Sequence, residues 1–223
     1  MMAAATSSAA LGPGELGAGQ RLFAGEWRFL GAASSMTTLP PPRGVELALA
    51  GRSNVGKSSL VNALTGRHAL ARVSHTPGRT QELIFFTVSE TWKLVDMPGY
   101  GYAAAPKAKV AAWTGLIQAY LRGRANLARV YVLIDARHGV KSADAPVFDL
   151  LDEAAVSYQI VLTKADEVSA AVLTDCVAAT ASTLAKRKAA YPKVLATSSR
   201  TGFGLPEMRA AMARVVTERS VRN

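Results

Sequence analysis

The sequence predicts an α/β protein in three layers, with a mostly parallel sheet of six strands, one of them antiparallel, flanked by about five helices. From residue 44 onward, short apolar segments alternate with stretches that repeat apolar residues every three or four positions, as strands alternating with helices do. Several of the short segments are apolar on both faces, which is typical of parallel strands covered by helices on both sides. With 223 residues, 49% of them hydrophobic, the chain can bury a core without disulfides.

The first 43 residues differ from the rest and are predicted to form an N-terminal extension that is partly disordered. Apolar periodicity is weak there, and the run Pro40-Pro41-Pro42 indicates a stiff, extended connector because proline breaks helices. Residues 44–217 are expected to form one domain, and residues 218–223 a basic C-terminal tail. Five large apolar residues of the extension are candidates for docking on that domain: Leu22, Phe23, Trp27, Phe29 and Leu30.

Within the domain, six segments are predicted to be strands and the helices are predicted between and after them. A short turn joins the second and third segments, so these two are expected to pair as a hairpin. Apolar stripes and capping residues mark the helices. The predicted strands are 45–50, 83–88, 92–96, 130–135, 158–163 and 193–197. The first predicted helix follows residue 56, the next three span about 107–122, 142–155 and 169–188, and the last begins at residue 206.

The composition excludes several classes of protein. A single cysteine, Cys176, excludes an internal disulfide framework and a metal site built from several cysteines. The longest strongly apolar run, residues 130–134, is far shorter than the roughly 20 residues of a transmembrane helix. No basic residue precedes Arg21, which is atypical of secretory and transit peptides. We therefore expect a cytoplasmic protein without stable membrane association.

The strongest motif follows the first predicted strand. Residues 51–58 match G-x-x-x-x-G-K-[ST] in full and lie between a predicted strand and a predicted helix, the context of a phosphate-binding loop (P-loop). Backbone N–H groups of such a loop surround phosphates, Lys57 reaches the β- and γ-phosphates, and the Ser58 hydroxyl ligates Mg²⁺. The predicted phosphate-binding residues are Gly51, Arg52, Ser53, Asn54, Val55, Gly56, Lys57 and Ser58.

A second motif, D-x-x-G, ends the predicted strand 92–96. Its aspartate is expected to hold Mg²⁺ through a water, and the N–H of its glycine to contact the γ-phosphate. The motif consists of Asp96, Met97, Pro98 and Gly99.

The polar loop 67–80 lies between the P-loop helix and the next strand. One threonine in it is expected to ligate Mg²⁺ when the γ-phosphate is present. Thr80 is preferred because it directly precedes the strand, and Thr76 is the alternative. Loops of this kind become ordered with a triphosphate and relax after hydrolysis, so the protein is expected to be a switch.

Two later segments predict a guanine nucleotide. The Asp166 carboxylate can accept hydrogen bonds from N1–H and from the 2-amino group of guanine, a pair that adenine lacks, and the Lys164 stem can cover the base. Both residues follow an apolar strand, where α/β folds bind ligands. The first segment is Thr163, Lys164, Ala165 and Asp166, and the second, expected around the guanine carbonyl, is Thr197, Ser198 and Ser199.

With these motifs in this order, the sequence resembles the EngB (YihA/YsxC) family of bacterial translation-factor-class GTPases. The stretches GRSNVGKSS, TPGRTQ, DMPGYGYA and TKAD carry the resemblance, which extends from about residue 39 to residue 216. It implies a P-loop GTPase fold and Mg²⁺ ligation by Ser58 and Thr80. It further implies nucleotide contacts from Gly78, Arg79, Thr80, Gln81 and Glu82.

The resemblance also implies a function. It indicates a Mg²⁺-dependent enzyme that hydrolyses GTP to GDP and phosphate as a molecular switch in assembly of the large ribosomal subunit. Such proteins are also required for normal cell division and septation. The implied partners are the large subunit or its precursor and its ribosomal RNA, and the protein itself is expected to be a monomer. The alternative is a GTP-sensing regulator of cell division with little turnover of its own.

Intrinsic hydrolysis is expected to be slow. Many GTPases orient the attacking water with a glutamine just after D-x-x-G, and this position is Tyr100 here. Either a K⁺ ion near Asn54 or the ribosomal particle would then raise the rate, although Asn54 has the alternative role of only stabilising its loop. Arg79 is a further candidate, either as an arginine finger or as a residue facing solvent or RNA. The predicted catalytic residues are Lys57, Thr80 and Gly99.

The chain carries 26 basic and 16 acidic residues, a net charge of +10, and the nucleotide motifs account for few of these. The excess therefore favours RNA as a partner. One basic cluster covers residues 186–223. A second, next to the D-x-x-G segment, is expected to contact ribosomal RNA in a nucleotide-dependent way, where Tyr100 and Tyr102 either stack on a base or pack on the sheet. It comprises Lys107, Lys109, Arg122, Arg124, Arg129, Arg137 and Lys141.

Overall fold

A seven-stranded sheet lies at the centre of the computed structural model, which describes residues 11–71, 82–100 and 107–221, with only the backbone for 107–114. Six α-helices accompany it in these ranges. The strands are β1 Arg28–Ala33, β2 Val45–Gly51, β3 Leu83–Thr87, β4 Trp92–Asp96, β5 Leu127–Asp135, β6 Tyr158–Thr163 and β7 Leu195–Ala196. The helices are α1 Pro13–Phe23, α2 Lys57–Thr65, α3 Lys107–Gly123, α4 Ala145–Glu153, α5 Ala170–Leu184 and α6 Leu205–Ser220.

The strand order is β1-β3-β4-β2-β5-β6-β7. β3 is antiparallel to both of its neighbours, while β4, β2, β5, β6 and β7 pair in parallel. This confirms the predicted α/β class with one antiparallel strand. Because β2 lies between β4 and β5, the chain leaves it toward one side of the sheet and later returns to the other. Ligands of such sheets bind at this switch point, outside the carboxyl ends of the strands.

The sheet has one strand more than the six that the sequence predicts, because β1 adds an edge strand from the N-terminal extension. Its pairing with β3 is irregular between Phe29 and Gly31. Phe29 and Leu30 are 45% and 42% exposed, so β1 lacks the continuous burial that gives the other strands their apolar pattern. The extension likewise adds α1, a sixth helix.

Two apolar layers lie on the two faces of the sheet. Alternate residues of β2 divide between them, with Leu47 and Leu49 on one face and Ala48 and Ala50 on the other. Buried residues of α1, α2 and α6 pack on the first face, and those of α3, α4 and α5 on the second. The predicted three-layer arrangement is therefore present.

The described part of the N-terminal extension packs on the body of the protein. Phe23, Trp27 and Trp92 form an aromatic cluster with ring centroids 5.1–5.5 Å apart. Gly19 lets α1 approach α6 closely, because a Cβ atom there would come within 2.5 Å of the backbone nitrogen of Ala210. Docking of Phe23 and Trp27 agrees with expectation. Residues 1–10 of the extension, which as a whole is expected to be partly disordered, lie outside the described residues.

The later elements differ from the predicted ones mainly at their ends. Ser169 caps α5, its Oγ accepting a hydrogen bond from the Val172 N–H. A short 3₁₀ turn, Ser142–Asp144, precedes α4, so this α-helix begins later than predicted. β7 spans only two residues, and α6 continues to Ser220, into the predicted tail. The domain limits at residues 43 and 217 stay predictions.

Candidate functional site

The loop between β2 and α2 has the backbone shape that phosphate binding requires. Gly56, directly before α2, has a φ of 99°, which side-chain-bearing residues rarely adopt. Asn54 also has a positive φ, 66°. The chain thus turns from the end of β2 straight into the N-terminus of α2, where free N–H groups and the helix dipole favour an anion.

The aspartate of D-x-x-G lies beside the P-loop lysine. β2 and β4 are parallel neighbours, and their register places Leu49 opposite Asp96. The Lys57 ammonium contacts Asp96 Oδ1, and both side chains are buried, at 8% and 1% exposure. Phosphoryl transfer requires a cation for the phosphates and a carboxylate for the metal at one point. The structure therefore brings these two predicted residues together.

The rest of D-x-x-G runs along the P-loop. The Met97 N–H donates to the Leu49 carbonyl over 2.9 Å, and Met97 and Pro98 are buried. Gly99 lies against the P-loop, because a Cβ atom there would be 3.2 Å from Ser53 Oγ. A movement of the D-x-x-G segment would therefore displace the phosphate-binding loop directly.

Tyr100 joins three parts of the site. Its N–H donates to the Gly51 carbonyl, and its own carbonyl accepts from the Ser53 N–H, each over 3.1 Å. Its hydroxyl donates to the buried Asp144 carboxylate over 3.1 Å, which also accepts from the Lys141 N–H. Burial, and secondly Asp144, raise the pKa of Tyr100 above its usual range. At 7% exposure, Tyr100 packs within the protein and does not present its ring to a base.

Of the remaining predicted contact residues, two are described and the others lie outside the described ranges. Ser58 is the second residue of α2 and is half-buried, and Glu82 is half-buried directly before β3. The remaining residues of the loop and its surroundings are not described: Thr76, Gly78, Arg79, Thr80, Gln81 and Tyr102, with the side chains of Lys107 and Lys109.

The T-K-x-D segment is tied to the P-loop. Thr163 Oγ1 donates to the Val55 carbonyl over 2.7 Å. Lys164 has a positive φ of 56°, and its ammonium donates to the Asn54 carbonyl over 3.0 Å. The same ammonium lies 2.9 Å from Asp135 Oδ2. The residues expected to contact the base and those expected to contact the phosphates are thus held together.

Asp135, at the end of β5, anchors Lys164 from the other side. It also accepts two side-chain hydrogen bonds from Arg137, over 2.9 and 2.6 Å, and Arg137 in turn pairs with Glu167 over 2.7 Å. Although burial opposes it, hydrogen bonds from Arg137 and Lys164 hold the pKa of Asp135 well below its usual range. Asp135 is therefore ionised and fixes the Lys164 stem.

Asp166 lies in a turn next to the loop that follows β7. Arg200 Nε donates to Asp166 Oδ2 over 2.7 Å. A hydrogen bond from the Ser198 side chain, and secondly that of Arg200, lower the pKa of Asp166. The carboxylate is therefore ionised, and its contact with guanine stays a prediction.

The second predicted guanine segment, residues 197–199, lies against T-K-x-D. The Ala165 N–H donates to the Thr197 carbonyl over 3.1 Å, and the Ser198 N–H to the Phe203 carbonyl over 2.9 Å. Thr197 and Ser198 are buried and Ser199 is half-buried. The two segments are thus in direct backbone contact.

Three residues of the site do not follow from any motif: Asp135, Asp144 and Arg200. The sequence contains one clue to Asp135, because this residue ends a predicted buried strand as Asp96 does. Asp144 and Arg200 carry none, because their partners Tyr100 and Asp166 lie 44 and 34 residues away in the chain.

Three of the described side chains in the second predicted basic cluster form ion pairs within the protein, which corrects the count of free positive charge made from the sequence. Arg124 is buried and pairs with Glu46 over 2.6 Å. Arg137 is bound in the Asp135 network, and Arg122 lies 3.5 Å from Glu153. The sequence interpretation weighed only acidic residues close in the chain, whereas Glu46 and Glu153 come from other elements.

The C-terminal cluster is also partly internal. Arg209 donates to the Leu64 and Ala63 carbonyls over 3.0 and 2.9 Å, where it caps the end of α2. Arg187 pairs with Asp149 and Asp152. The charges of Arg209 and Arg187 are thus engaged in contacts within the protein.

Among the described side chains, no group of three or more histidine, cysteine or acidic residues could hold a metal ion. No helix in the described ranges is long and apolar enough to cross a membrane. A groove of about 640 Å³ between α4 and α5 contains none of the motif residues and is not the nucleotide site. Its lining consists of Asp152, Glu153, Ser182, Thr183, Lys186, Arg187 and Lys188.

The chain matches known proteins along most of its length. A family model described as "50S ribosome-binding GTPase" matches residues 46–164. A Rhodopseudomonas palustris protein named "Probable GTP-binding protein EngB" is 64% identical over 212 residues, covering 94% of this chain and 98% of the relative. A Bradyrhizobium diazoefficiens protein of the same name is 64% identical over 205 residues, covering 91% and 94%.

Solved structures agree at the level of the fold. A crystal structure of an EngB protein superimposes with a TM-score of 0.64 at 21% identity, covering 78% of this chain and all of the other. Era from Aquifex aeolicus, bound to GDP·AlF₄⁻, gives a TM-score of 0.60 at 18% identity, with 78% and 57% covered. The resemblance noted in the sequence is therefore confirmed, and the chain is a GTPase that belongs to the EngB family of GTP-binding proteins.

Proposed function

We propose that this GTPase is a cytoplasmic, monomeric switch that takes part in assembly of the large ribosomal subunit and is required for normal cell division and septation. The single observation that carries the ribosomal part is the match to a family described as 50S ribosome-binding. The net charge of +10 supports an RNA partner, because phosphate contacts by basic residues dominate nucleic-acid binding.

The phosphates would bind at the N-terminus of α2. Backbone N–H groups of the P-loop point at them, and the Lys57 ammonium, now beside Asp96, supplies the positive charge. Water attacks the γ-phosphorus and the bond to the β–γ bridging oxygen breaks. Since Tyr100 hydrogen-bonds to Gly51 and Ser53 in the first part of the P-loop, loss of the γ-phosphate at Gly99 would be transmitted to the P-loop through these contacts.

The residues present fit Mg²⁺. Ser58 directly follows Lys57 in α2, and Asp96 contacts Lys57, so a hydroxyl and a carboxylate are available as the oxygen ligands that Mg²⁺ prefers over nitrogen and sulfur. Ser58 and Asp96 would hold the ion on one side, and Thr80 is the proposed ligand from the loop 67–80. When bound, the ion neutralises charge on the β- and γ-phosphate oxygens.

Guanine would be read by Asp166 and covered by Lys164. Asp166 offers two carboxylate oxygens for N1–H and the 2-amino group, and Lys164 is fixed from two sides by Asn54 and Asp135. An ionised aspartate can accept hydrogen bonds from the donors on the edge of the base, and an anchored lysine stem can cover the flat face of the base. The geometry therefore favours guanine over adenine nucleotides.

Slow intrinsic turnover follows from Tyr100. Its hydroxyl is engaged with Asp144, so it cannot orient a water as a glutamine does. Activation is then proposed to come from K⁺ near the exposed Asn54 or from the ribosomal particle. The same observation favours the second candidate function, a GTP-sensing regulator of division with little turnover of its own.

The ribosomal role is tested by sedimentation. The full chain is centrifuged with large ribosomal subunits in a GTP analogue, in GDP and without nucleotide, across a salt series. We expect co-sedimentation that is strongest with the GTP analogue and falls steeply with salt. Equal co-sedimentation in all three nucleotide states, or none at low salt, would contradict the proposal.

A further inference from the structure

The loop that follows β7 contacts the Asp166 carboxylate. Arg200 reaches Asp166 Oδ2 through its Nε over 2.7 Å. The Asp166 side chain is only 10% exposed, whereas that of Arg200 is 74% exposed. The guanidinium therefore approaches an enclosed carboxylate from the surface of the protein.

The same loop fixes Ser198. Ser198 Oγ accepts hydrogen bonds from the Arg200 and Thr201 N–H groups over 3.2 and 3.1 Å. The Ser198 side chain is also the first cause that lowers the pKa of Asp166, so it lies close enough to act on that carboxylate. The backbone of Arg200 thus orients one partner of Asp166, and its side chain is the other partner.

We propose that Arg200 determines guanine specificity by fixing the plane of the Asp166 carboxylate, so that both oxygens face the base. This inference rests on the proposed guanine-reading role of Asp166. The terminal torsion of aspartate is broad, and a carboxylate that turns loses one of its two base contacts. A guanidinium is planar and presents its donors rigidly. Each carboxylate oxygen has two lone pairs, so Oδ2 can accept from Arg200 and from the base together.

The charge of Arg200 has a second effect on the same group. It favours the ionised carboxylate, since it is one of the causes that lower the pKa of Asp166. The neighbouring Glu167 is paired with Arg137 over 2.7 Å, and the side chains that lower the pKa of Asp166 within the described ranges are those of Ser198 and Arg200. Without Arg200, Asp166 would take up a proton at a higher pH.

The test compares Arg200→Ala and Arg200→Lys with the wild type and with Arg219→Ala, an exposed arginine near the end of α6. Binding of GDP and of inosine diphosphate, which lacks the 2-amino group, is measured by calorimetry. We expect Arg200→Ala to weaken GDP binding about three- to tenfold and inosine diphosphate binding less. Arg200→Lys should recover part of the loss, and Arg219→Ala should match the wild type.

A pH series distinguishes a role of Arg200 in positioning Asp166 from a role in supporting the loop alone. In Arg200→Ala, GDP binding should begin to fall at a higher pH than in the wild type, with folding followed by circular dichroism in the same buffers. Equal losses for GDP and inosine diphosphate with an unchanged pH profile would overturn the inference, as would unchanged binding of both.

A variant of Asp166 distinguishes the two levels of the proposal. Asp166→Asn should shift preference from GDP to xanthosine diphosphate, since the amide can donate where the carboxylate accepted. If Asp166→Asn keeps the guanine preference, the proposed role of Asp166 itself is wrong. If it shifts the preference while Arg200→Ala changes nothing, only the role of Arg200 is wrong.

Discussion

At the scale of residues, charged side chains outside the motifs hold the motif residues in place. Asp135 fixes Lys164, and Arg200 and Ser198 fix Asp166. Motif spacing predicts Lys57, Asp96 and Asp166 because each follows a strand at a set distance. It does not predict Asp144 or Arg200, because ion pairs and hydrogen bonds across distant parts of the chain leave no local pattern.

Removing the Asp135 charge is expected to destabilise the protein in a pH-dependent way. Asp135→Asn should lower the free energy of unfolding by about 1 kcal/mol at pH 7, since the pair is partly open to solvent. The folded-state pKa is depressed, so this stability is complete above the ordinary pKa of about 4 and is lost as pH falls below it. Urea unfolding at pH 7, 5 and 3.5 measures the difference between wild type and variant.

Asp175→Asn, on the exposed face of α5, is the matched control and should behave like the wild type at each pH. A difference between Asp135→Asn and the wild type that stays constant or grows toward acid pH would show that Asp135 does not act through its charge.

At the scale of elements, the sequence predicts β2, the P-loop and α2 well and the N-terminal extension poorly. β2 is buried on both faces, and its residues other than Glu46 are apolar or glycine. β1 has only one strand neighbour, and five of its six residues are exposed or half-buried. Its composition therefore does not distinguish it from a loop. α1 depends on packing against α6, which a local pattern cannot show.

This packing predicts opposite effects for two glycines of α1. Gly19→Ala should lower the free energy of unfolding by about 1–3 kcal/mol, because the new methyl group meets the backbone of α6. Gly14→Ala, with nothing within 4 Å, should leave stability unchanged or raise it by up to about 1 kcal/mol. Urea unfolding of both variants checks this, and equal effects would show that α1 does not dock as described.

At the scale of the whole molecule, the nucleotide site is connected to much of the fold. Tyr100 connects the P-loop to the turn before α4, and Arg209 of α6 caps the end of α2. Several basic residues that the sequence suggests for RNA are used in these internal contacts. The net charge of +10 still favours an anionic partner. Fewer basic side chains are free to contact such a partner than the sequence indicates.

The central claim is that this GTPase turns over slowly until an outside component completes its site. Phosphate release from GTP is measured in KCl and in NaCl, each with and without large ribosomal subunits. We predict a low rate in NaCl alone and a clear rise with K⁺, with subunits or with both, because Tyr100 cannot orient the attacking water. Equal rates under all four conditions would contradict the claim.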